Sequence, residues 1–440
     1  MIFLTKYKET EIGRIPEEWE MLKLSDLTFK ITKGTTPTTL GGKFVKKGIN
    51  FIKVESINDN GTINQEKVMF IDEETNTILA RSKLKKNDIL YTIAGTIGKV
   101  SIVTDSMLPA NTNQAVAILR PDLSKIDLQY LHYVLVNPEV KRYLLSKVVH
   151  AVQPNLSLTE IGNCPVPMPN AQEQKAIAKI LSDLDSKIEI NSQMNATLES
   201  MTKATFKHWF IDFEFPDENG KPYKSSGGKM VDSELGKIPE GWSISKIGKE
   251  LCTVLGGTPS TNKKEYWTNG TVPWINSGKI NEFRIIEPVA YITEAALNDS
   301  ATKFMPRSTT VIAITGATLG QVSMIESEMC GNQSVIGIVE NQKISSEYIY
   351  LFIKSSIGEL ILNQTGGAQQ HINKENVDNF GLLIPPNHIM KQFIRTVKPI
   401  FNQISNNCFE SLNLSKSRDF LLPKLMSGQI RVPIEAIKNA

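Results

Sequence analysis

The sequence predicts a mixed α/β fold in which two similar globular domains are separated by an antiparallel pair of long helices. Two observations lead to this prediction. A set of short motifs recurs in the same order in both halves of the chain, and each set is followed by a long amphipathic segment that contains almost no helix breakers. A repeated domain-plus-helix unit indicates a molecule with a pseudo-two-fold internal repeat.

The internal repeat consists of six matched motifs. They pair residues 12–19 with 235–242, 33–39 with 255–261, 51–53 with 274–276, 94–101 with 316–323, 113–114 with 332–333, and 151–153 with 367–369. Six matches in one order are not expected by chance, so we interpret the chain as two copies of one unit.

The first long segment, residues 171–210, contains neither proline nor glycine. Its apolar residues alternate at spacings of three and four, which predicts one narrow stripe along a helix. The stripe consists of Ile177, Leu181, Leu184, Ile188 and Leu198. Asn170 followed by Glu173 predicts a capping box at the start. A narrow stripe interrupted by Asn191 and Asn195 favours a seam for one partner helix.

The second long segment, residues 387–427, repeats this pattern and is the predicted partner. Its stripe contains Phe393, Val397, Ile400 and Ile404. Each helix follows a proline-rich segment, at residues 165–169 and 385–386. The alternative is that the two helices are unrelated and that each packs only on its own domain.

The predicted domains follow from these landmarks. Short β-branched runs on either side of glycine-rich turns predict strands at residues 88–93, 100–103, 310–314 and 322–325. Residues 128–148 and 346–362 have helical patterns. The predicted division is residues 1–168 for the first domain, 169–211 for the central helix, 212–386 for a linker and the second domain, 387–427 for the distal helix and 428–440 for a tail. The linker is the Gly-, Lys- and Ser-rich segment 217–232.

Composition indicates an ordinary globular protein of 440 residues with a formal net charge of +3. Its four scattered cysteines include no CxxC pair, and its five histidines lack metal-ligand spacing. No apolar run is long enough for a signal peptide or a membrane span. We therefore expect a cytoplasmic protein with reduced cysteines and no bound metal.

Two Gly-Thr-Pro loops carry the candidate binding residues. Between Asp26 and Glu55 the chain has no acidic residue, and lysines alternate there with glycine and threonine. Lysines can neutralise DNA phosphates, and Thr hydroxyls can approach phosphates and base edges. The candidates are Lys33, Thr35, Thr36, Thr38, Lys43, Lys46 and Lys47 in the first copy, and Thr258, Ser260, Thr261, Lys263 and Lys264 in the second. The alternative for each lysine is a solvated surface position.

Four further residues stand at matched positions. Gln153 and Gln369 could hydrogen-bond to adenine in the major groove, or they could serve only in structural hydrogen bonds. Trp19 and Trp242 are predicted to be core residues and not platforms for stacked bases.

Catalytic motifs are missing from the sequence. The segment 95–99 is too short for a phosphate-binding loop, and Val100 stands where such a loop needs Ser or Thr. Ile384 precedes Pro385 and Pro386, where an amino-methyltransferase loop would begin with Asn or Asp. No glycine-rich cofactor fingerprint, GxSxG, HExxH or nuclease carboxylate cluster is present, so no catalytic residue is assigned.

The chain resembles, over nearly its whole length, the specificity subunit of type I restriction–modification enzymes. The resemblance is most specific at residues 234–242, 206–213 and 418–430, and the Gly-Thr-Pro and Gly-x-x-Gly turns also fit. One departure is His388, Ile389 and Met390, which replace the usual Glu-Gln entry of the distal helix.

The resemblance implies two target recognition domains, each of which recognises one half of a split DNA sequence, and a helix pair that sets the gap between the halves. It also implies binding to double-stranded DNA, to two modification (methyltransferase) subunits and to restriction subunits. S-adenosylmethionine and ATP would bind those partners, and this chain would hold no cofactor. Two alternatives are a stand-alone DNA methyltransferase or nuclease with an unrecognised active site, and a duplicated carbohydrate- or protein-binding scaffold.

Overall fold

The chain folds into two compact units, which a computed structural model describes at residues 6–148, 154–234, 236–362 and 371–432. The first unit comprises residues 1–188 and 413–440, and the second comprises residues 189–412. Each unit therefore contains one globular domain and part of both long helices. The predicted mixed α/β class and the predicted duplication are confirmed.

The domain of the first unit contains two four-stranded sheets and two antiparallel pairs of strands. The antiparallel sheet has the order Thr28–Lys33, Val116–Pro121, Ile89–Thr92 and Val100–Ile102. The mixed sheet has the order Ala110–Thr112, Ile49–Ile52, Met69–Ile71 and Phe44–Val45, with its first two strands parallel. The pairs are Tyr7–Thr10 with Gly13–Pro16, and Glu20–Lys23 with Pro165–Met168.

Helices connect these strands at the positions that turn and capping residues favour. The α-helices are Glu73–Ile78, Leu128–Val136, Pro138–Ser146 and Leu158–Gly162. Residues 128–148 are predicted to be helical, and the structure has two helices there, the second of which begins at Pro138. Asn137 caps the second through its side chain, which accepts from the Glu139 amide, and Pro138 occupies the first helical position, where its missing N–H is tolerated.

The domain of the second unit repeats this architecture. Its antiparallel sheet has the order Cys252–Leu255, Val335–Val339, Thr310–Ala313 and Val322–Met324. Its mixed sheet has the order Ala290–Ile292, Val272–Ile275, Met329–Gly331 and Phe304–Met305. The remaining pairs are Met230–Ser233 with Gly236–Pro239, and Ser243–Lys246 with Gly381–Ile384.

The two mixed sheets share three strands and differ at one edge. The common core is a central strand with a parallel neighbour on one side and an antiparallel neighbour on the other. The fourth strand, Phe44–Val45, joins the antiparallel neighbour in the first unit. In the second unit Phe304–Met305 joins the parallel neighbour instead.

The second unit's α-helices are Ile247–Glu250, Glu294–Asp299, Ser346–Leu362 and Lys374–Asn379. The segment expected to be a linker, residues 217–232, is more ordered than its composition predicts. It contains the start of the strand Met230–Ser233, and the Tyr223 ring stacks on Phe215 with centroids 4.6 Å apart. Gly and Lys dominate the composition of this segment, but one aromatic contact and a β-hairpin stabilise its conformation.

Trp19 and Trp242 are core residues, as predicted. Trp19 is 1% exposed within the first unit's main core, and Trp242 is 7% exposed within the second unit's. Neither ring is available to stack on a base.

The central helix is Ala171–Phe206, continued by one wide turn at Lys207–Ile211, and the distal helix is Asn387–Met426. Asn170 caps the central helix by accepting a hydrogen bond from the Glu173 amide at 3.0 Å. The Glu173 carboxylate does not complete the predicted capping box, because it pairs with Arg431 at 2.6 Å. A guanidinium offers a stronger, charge-assisted partner than a backbone amide does.

Within the first unit the two long helices run antiparallel and contact each other. Ile177 and Leu181 are buried in one core with Leu422 and Leu425 of the distal helix. Further along, Arg418 donates to Asp185 at 2.7 Å. The alternative of unrelated helices, each packed only on its own domain, is therefore wrong.

Within the second unit the central and distal helices contact each other first through polar side chains and then, further along the central helix, through aromatic ones. Asn195 accepts from the Asn407 amide at 2.9 Å and donates to Cys408 Sγ at 3.3 Å, and Asn191 donates to Glu410 at 2.8 Å.

Near the end of the central helix the contact becomes aromatic, where the Phe206 ring lies 6.2 Å from Phe393. Of the predicted seam, Ile177, Leu181, Phe393, Val397 and Ile404 are buried, whereas Leu184, Ile188, Leu198 and Ile400 are half-buried. Burial is deepest where a domain also covers the helices.

His132, in the helix Leu128–Val136, predicts that the stability of the first unit depends on pH. Burial lowers the pKa of His132 from 6.5 to about 4, and its Nδ1 has no partner among the described residues. The unfolded chain therefore binds more protons than the folded one between those pH values. We expect stability to be complete above pH ~6.5 and to fall by at most about 1.4 kcal/mol per pH unit towards pH 4. His132→Phe should flatten this part of the profile in thermal unfolding, and an unchanged slope would contradict the assignment.

Candidate nucleic-acid interface

In the first unit the predicted loop is fixed against a second loop that follows the mixed sheet. We call residues 33–39 the first Gly-Thr loop, and Asn113 with Gln114 the first Asn-Gln turn. The amide of Thr35 donates to the carbonyl of Thr112 at 3.2 Å. A Cβ atom on Gly34 would lie 1.9 Å from the same carbonyl oxygen. Only glycine allows the two loops to approach this closely.

The second unit builds the same arrangement from different residues. The second Gly-Thr loop is residues 255–261, and the second Asn-Gln turn is Asn332 with Gln333. The amide of Gly257 donates to the carbonyl of Gly331 at 2.8 Å. A Cβ atom on Gly256 would lie 2.2 Å from the Asn332 carbonyl oxygen. The close approach of the two loops is therefore a property of the repeated unit.

Each asparagine shapes its turn, and the glutamine that follows lies at the exposed tip. Asn113 Oδ1 accepts from the amide of Ala115 at 3.3 Å, and Asn332 Oδ1 accepts from the amide of Ser334 at 3.1 Å. Asn side chains favour such turns because they accept hydrogen bonds from the backbone two residues ahead. Gln114 and Gln333 are both exposed.

A threonine of each Gly-Thr loop holds the glutamine of the facing turn. The Thr36 hydroxyl donates to Gln114 Oε1, and the Thr258 hydroxyl donates to Gln333 Oε1. These glutamines belong to the internal repeat but are not among the binding residues predicted from the sequence. The internal repeat could have indicated their role, because the Asn-Gln pair recurs at the same position relative to the Gly-Thr loop in both copies. The pair lies about 80 positions from the loop.

Each mixed sheet contributes to an aromatic pair. The rings of Phe44 and Phe51 make an edge contact at 5.4 Å, and Trp267 and Trp274 make one at 5.1 Å. Trp274 Nε1 also donates to the carbonyl of Gly257 at 3.2 Å. In the second unit this aromatic packing therefore helps to hold the Gly-Thr loop in place.

The lysines of the first loop differ in how far their charge is already used. Lys43 lies 3.4 Å from Asp72 in an ion pair. Lys46 and Lys47 are exposed, and neither makes an ion pair within the described residues. Lys33 ends the strand Thr28–Lys33 and is half-buried. Lys46 and Lys47 are therefore the lysines of this set best placed to meet an external phosphate.

The threonines of the first loop differ in their surroundings. Thr35 accepts from Arg81 Nη2 at 3.2 Å, which brings a guanidinium beside Thr36. In the second unit Gly257 occupies the matched position and has no hydroxyl to hold an arginine. Thr38 lies exposed in the short turn Pro37–Leu40. The two units thus present different chemistry on one backbone scaffold.

The polar side chains of the second loop are exposed, whereas Gly256, Gly257 and Pro259 are buried. Thr258, Ser260 and Thr261 all lie at the surface. Lys263 donates to the Tyr266 hydroxyl at 2.9 Å, and this hydrogen bond raises the pKa of Lys263. Lys264 is exposed and begins the short turn Lys264–Tyr266.

The two remaining candidates, Gln153 and Gln369, lie outside the described residues. In the described ranges, no group of three or more His, Cys, Asp or Glu side chains could hold a metal ion. Over the same residues, no helix has the length and hydropathy needed to cross a membrane.

Comparison with known proteins places this architecture in a family. The family described as "Type I restriction modification DNA specificity domain" matches residues 16–200 and 239–414. The specificity subunit of the type I restriction enzyme MjaIX from Methanocaldococcus jannaschii is 26% identical, with 97% of each chain covered. The HindI specificity subunit from Haemophilus influenzae is 25% identical over 80% of this chain and 88% of its own.

The fold has a solved counterpart as well. The crystal structure of the type I restriction–modification S subunit from M. genitalium superposes with a TM-score of 0.57 at 16% identity, and covers 93% of this chain and 96% of that one. The two family matches include both Gly-Thr loops, both Asn-Gln turns and most of both long helices. The chain belongs to the type I restriction–modification DNA specificity family.

Proposed function

We propose that this chain is the DNA sequence-specificity subunit of a type I restriction–modification complex. Each unit binds one half of a bipartite DNA target through its Gly-Thr loop and Asn-Gln turn. The paired helices set the gap between the halves and dock two modification subunits, to which restriction subunits are added.

The observation that carries the proposal is the duplicated pair of loops. Both copies use a glycine without room for a Cβ, a threonine-to-glutamine hydrogen bond and an exposed lysine nearby. Duplex DNA can present two half-sites, one for each copy of a duplicated DNA-binding domain. Exposed cations bind its phosphates, while polar side chains select bases.

Catalysis belongs to the partners in this proposal. The modification subunits would bind S-adenosylmethionine and methylate adenine, and the restriction subunits would use ATP. This chain would contribute no catalytic residue and no cofactor, and it would work in the cytoplasm, where it meets the host chromosome.

An exchange of one recognition domain tests the proposal. Replacing residues 20–150 by the same region of a relative should change one half of the methylated sequence and leave the other half intact, because each unit has its own pair of loops. The methylated motif would be mapped in genomic DNA from cells that express the chimaera with the modification subunits.

The matched control is the chain purified without its partners. With S-adenosylmethionine and ATP supplied, it should neither methylate nor cleave DNA. Methylation by the chain alone would favour the stand-alone methyltransferase. A chimaera in which both halves change, or which recognises a continuous site, would contradict the modular assignment.

Phosphate binding should depend on the unpaired lysines of the first unit. Replacing Lys46 and Lys47 by Ala should weaken binding to specific and random duplex alike. It should also reduce the log–log salt slope by about one for each lost contact. Lys43→Ala should have a smaller effect, because Asp72 already pairs with that charge.

The control for net charge is Lys343→Ala, which removes an exposed lysine beyond the end of the strand Val335–Val339 that is opposite the second Asn-Gln turn. Binding would be measured by fluorescence anisotropy across a salt series with the assembled complex. If the Lys46/Lys47 double variant kept the wild-type slope, these lysines would lie on a solvated face.

A further inference from the structure

We infer that Gln114 and Gln333 are specificity-determining residues, each of which binds the major-groove edge of an adenine in one half of the target. The inference rests on the proposed function and names the residues that carry it. Its basis is the hydrogen bond that fixes each glutamine at the tip of its turn.

The hydrogen bond leaves free the atoms that adenine needs. A Gln carbonyl oxygen has two lone pairs and its NH₂ group has two donors. Thr36 and Thr258 each occupy one lone pair of the glutamine they hold. Within the described chain, Nε2 of Gln114 and of Gln333 has no acceptor. Each glutamine can therefore accept from adenine N6 and donate to adenine N7 in a bidentate contact.

The threonine also orients the amide before DNA arrives. A free Gln side chain samples many rotamers, and ordering it on binding weakens the complex. Here one hydrogen bond orients the amide, so that the same edge of the glutamine is presented to the DNA. The same geometry occurs in both units, on backbones that differ in sequence around it.

A purely structural role explains the arrangement less well. The two loops are already joined through backbone hydrogen bonds in each unit: Gly34 to Val116 at 3.4 Å, Thr35 to Thr112 at 3.2 Å, Gly256 to Val335 at 3.0 Å and Gly257 to Gly331 at 2.8 Å. Both glutamines are exposed, where a single hydrogen bond competes with water and adds little stability. Neither unit needs the glutamine to close its loops.

The units should differ in what surrounds the adenine. In the first unit Arg81 lies against Thr35, one residue from the threonine that holds Gln114. An arginine at this position can bind guanine O6 and N7 or a phosphate. The second unit has Gly257 at the position matched to Thr35, so it has no hydroxyl there to hold an arginine. The two half-sites should therefore share an A·T pair but differ beside it.

The test uses the assembled methyltransferase complex with single substitutions. For Gln114→Ala we expect base preference at one position of one half-site to fall about ten- to a hundredfold, while the other half-site is unchanged. Gln333→Ala should do the same in the other half. Preference would be measured by competition binding against every single-base variant of the target, and by mapping methylated genomic sites.

Two further variants separate recognition from folding. Thr36→Val removes the hydroxyl and keeps the side-chain shape, so cognate affinity should fall while the preferred base stays the same. Gln342→Ala, at an exposed position beyond the end of the strand Val335–Val339 that is opposite the second Asn-Gln turn, should leave both half-sites unchanged. Thermal unfolding of each variant should match the wild-type chain within a few degrees.

The possible outcomes are distinct. If the wild-type complex recognises a bipartite sequence and Gln114→Ala and Gln333→Ala keep the full preference at every position, the inference is wrong and the proposed function stands. If Gln114→Ala instead lowers the thermal stability of the first unit without changing base preference, the residue is structural. If the wild-type complex recognises no bipartite sequence, the proposed function fails and the inference fails with it.

Discussion

Lengthening both long helices by four residues should widen the unspecified gap of the methylated DNA sequence by one or two base pairs. Four helical residues add ~6 Å, and duplex DNA rises ~3.4 Å per base pair. The half-site sequences should stay the same, because neither pair of loops is altered. The methylated motif in genomic DNA reports both quantities at once.

The structure fixes where the two insertions belong. Asn195 pairs with Asn407, so one insertion follows Asn195 and the other precedes Asn407. Glu199 and Ser405, which contact the second domain through Tyr350 and Glu326, then stay on that domain's side of both insertions. The contacts of Asp185 with Arg418 and of Asn191 with Glu410 stay on the other side.

The control lengthens only the central helix. Its side chains would then move past their partners on the distal helix, and a buried Asn would face an apolar residue. We expect lower thermal stability and loss of methylation. An active, stable double insertion with an unchanged gap would show that another part of the complex sets the spacing.

Replacing Glu326 by Ala should destabilise the second unit by about 3–5 kcal/mol, because a charged arginine would stay buried without its partner. The side chain of Arg284 is 1% exposed and its Nε lies 3.6 Å from Glu326 Oε1. The guanidinium also lies 4.3 Å from the centre of the Tyr350 ring. Glu326 in turn accepts from Ser405 of the distal helix at 2.8 Å. One carboxylate therefore links the domain to the helix.

Hydrogen exchange can assign this loss to the right unit. Protection should fall in the helix Ser346–Leu362 and stay the same in the helix Leu128–Val136. Arg307→Ala is the matched control. Its side chain is 60% exposed and its ion pair with Glu326 is long, at 3.5 Å, so the change should be within about 1 kcal/mol.

A paired replacement distinguishes charge from packing. Arg284→Met combined with Glu326→Leu removes both charges and keeps apolar volume, so it should recover most of the stability lost in Glu326→Ala. A double variant as unstable as the single one would mean that shape and the hydrogen bond to Ser405 matter more than the buried charge.

Sequence patterns were sufficient for the parts of the fold that depend on local chemistry. Uninterrupted apolar spacing predicted two helices that the structure has at Ala171–Phe206 and Asn387–Met426. Glycine-flanked β-branched runs predicted strands that the structure has at Ile89–Thr92 and Thr310–Ala313. In each of these cases a short stretch of sequence contains the whole physical reason.

Sequence patterns could not predict contacts between residues that are distant along the chain. Nothing near Glu173 indicates that its carboxylate meets Arg431, and nothing near Thr36 indicates that its hydroxyl meets Gln114. Both contacts depend on how the domain closes. The repeat was the one available clue, because Gln114 and Gln333 kept their place relative to the loops. The predicted DNA-binding lysines and threonines remain predictions until binding is measured.

The different edges of the two mixed sheets indicate how the two copies of a duplicated domain can diverge. Three strands and the loops at their ends are common to both copies, whereas the fourth strand comes from a different segment of the repeat. It precedes the central strand in the first copy and follows the antiparallel neighbour in the second. An edge strand can be lost or gained without shifting the register of the strands inside. Mutation and recombination can therefore remodel the rim of each domain while its Gly-Thr loop and Asn-Gln turn keep their positions.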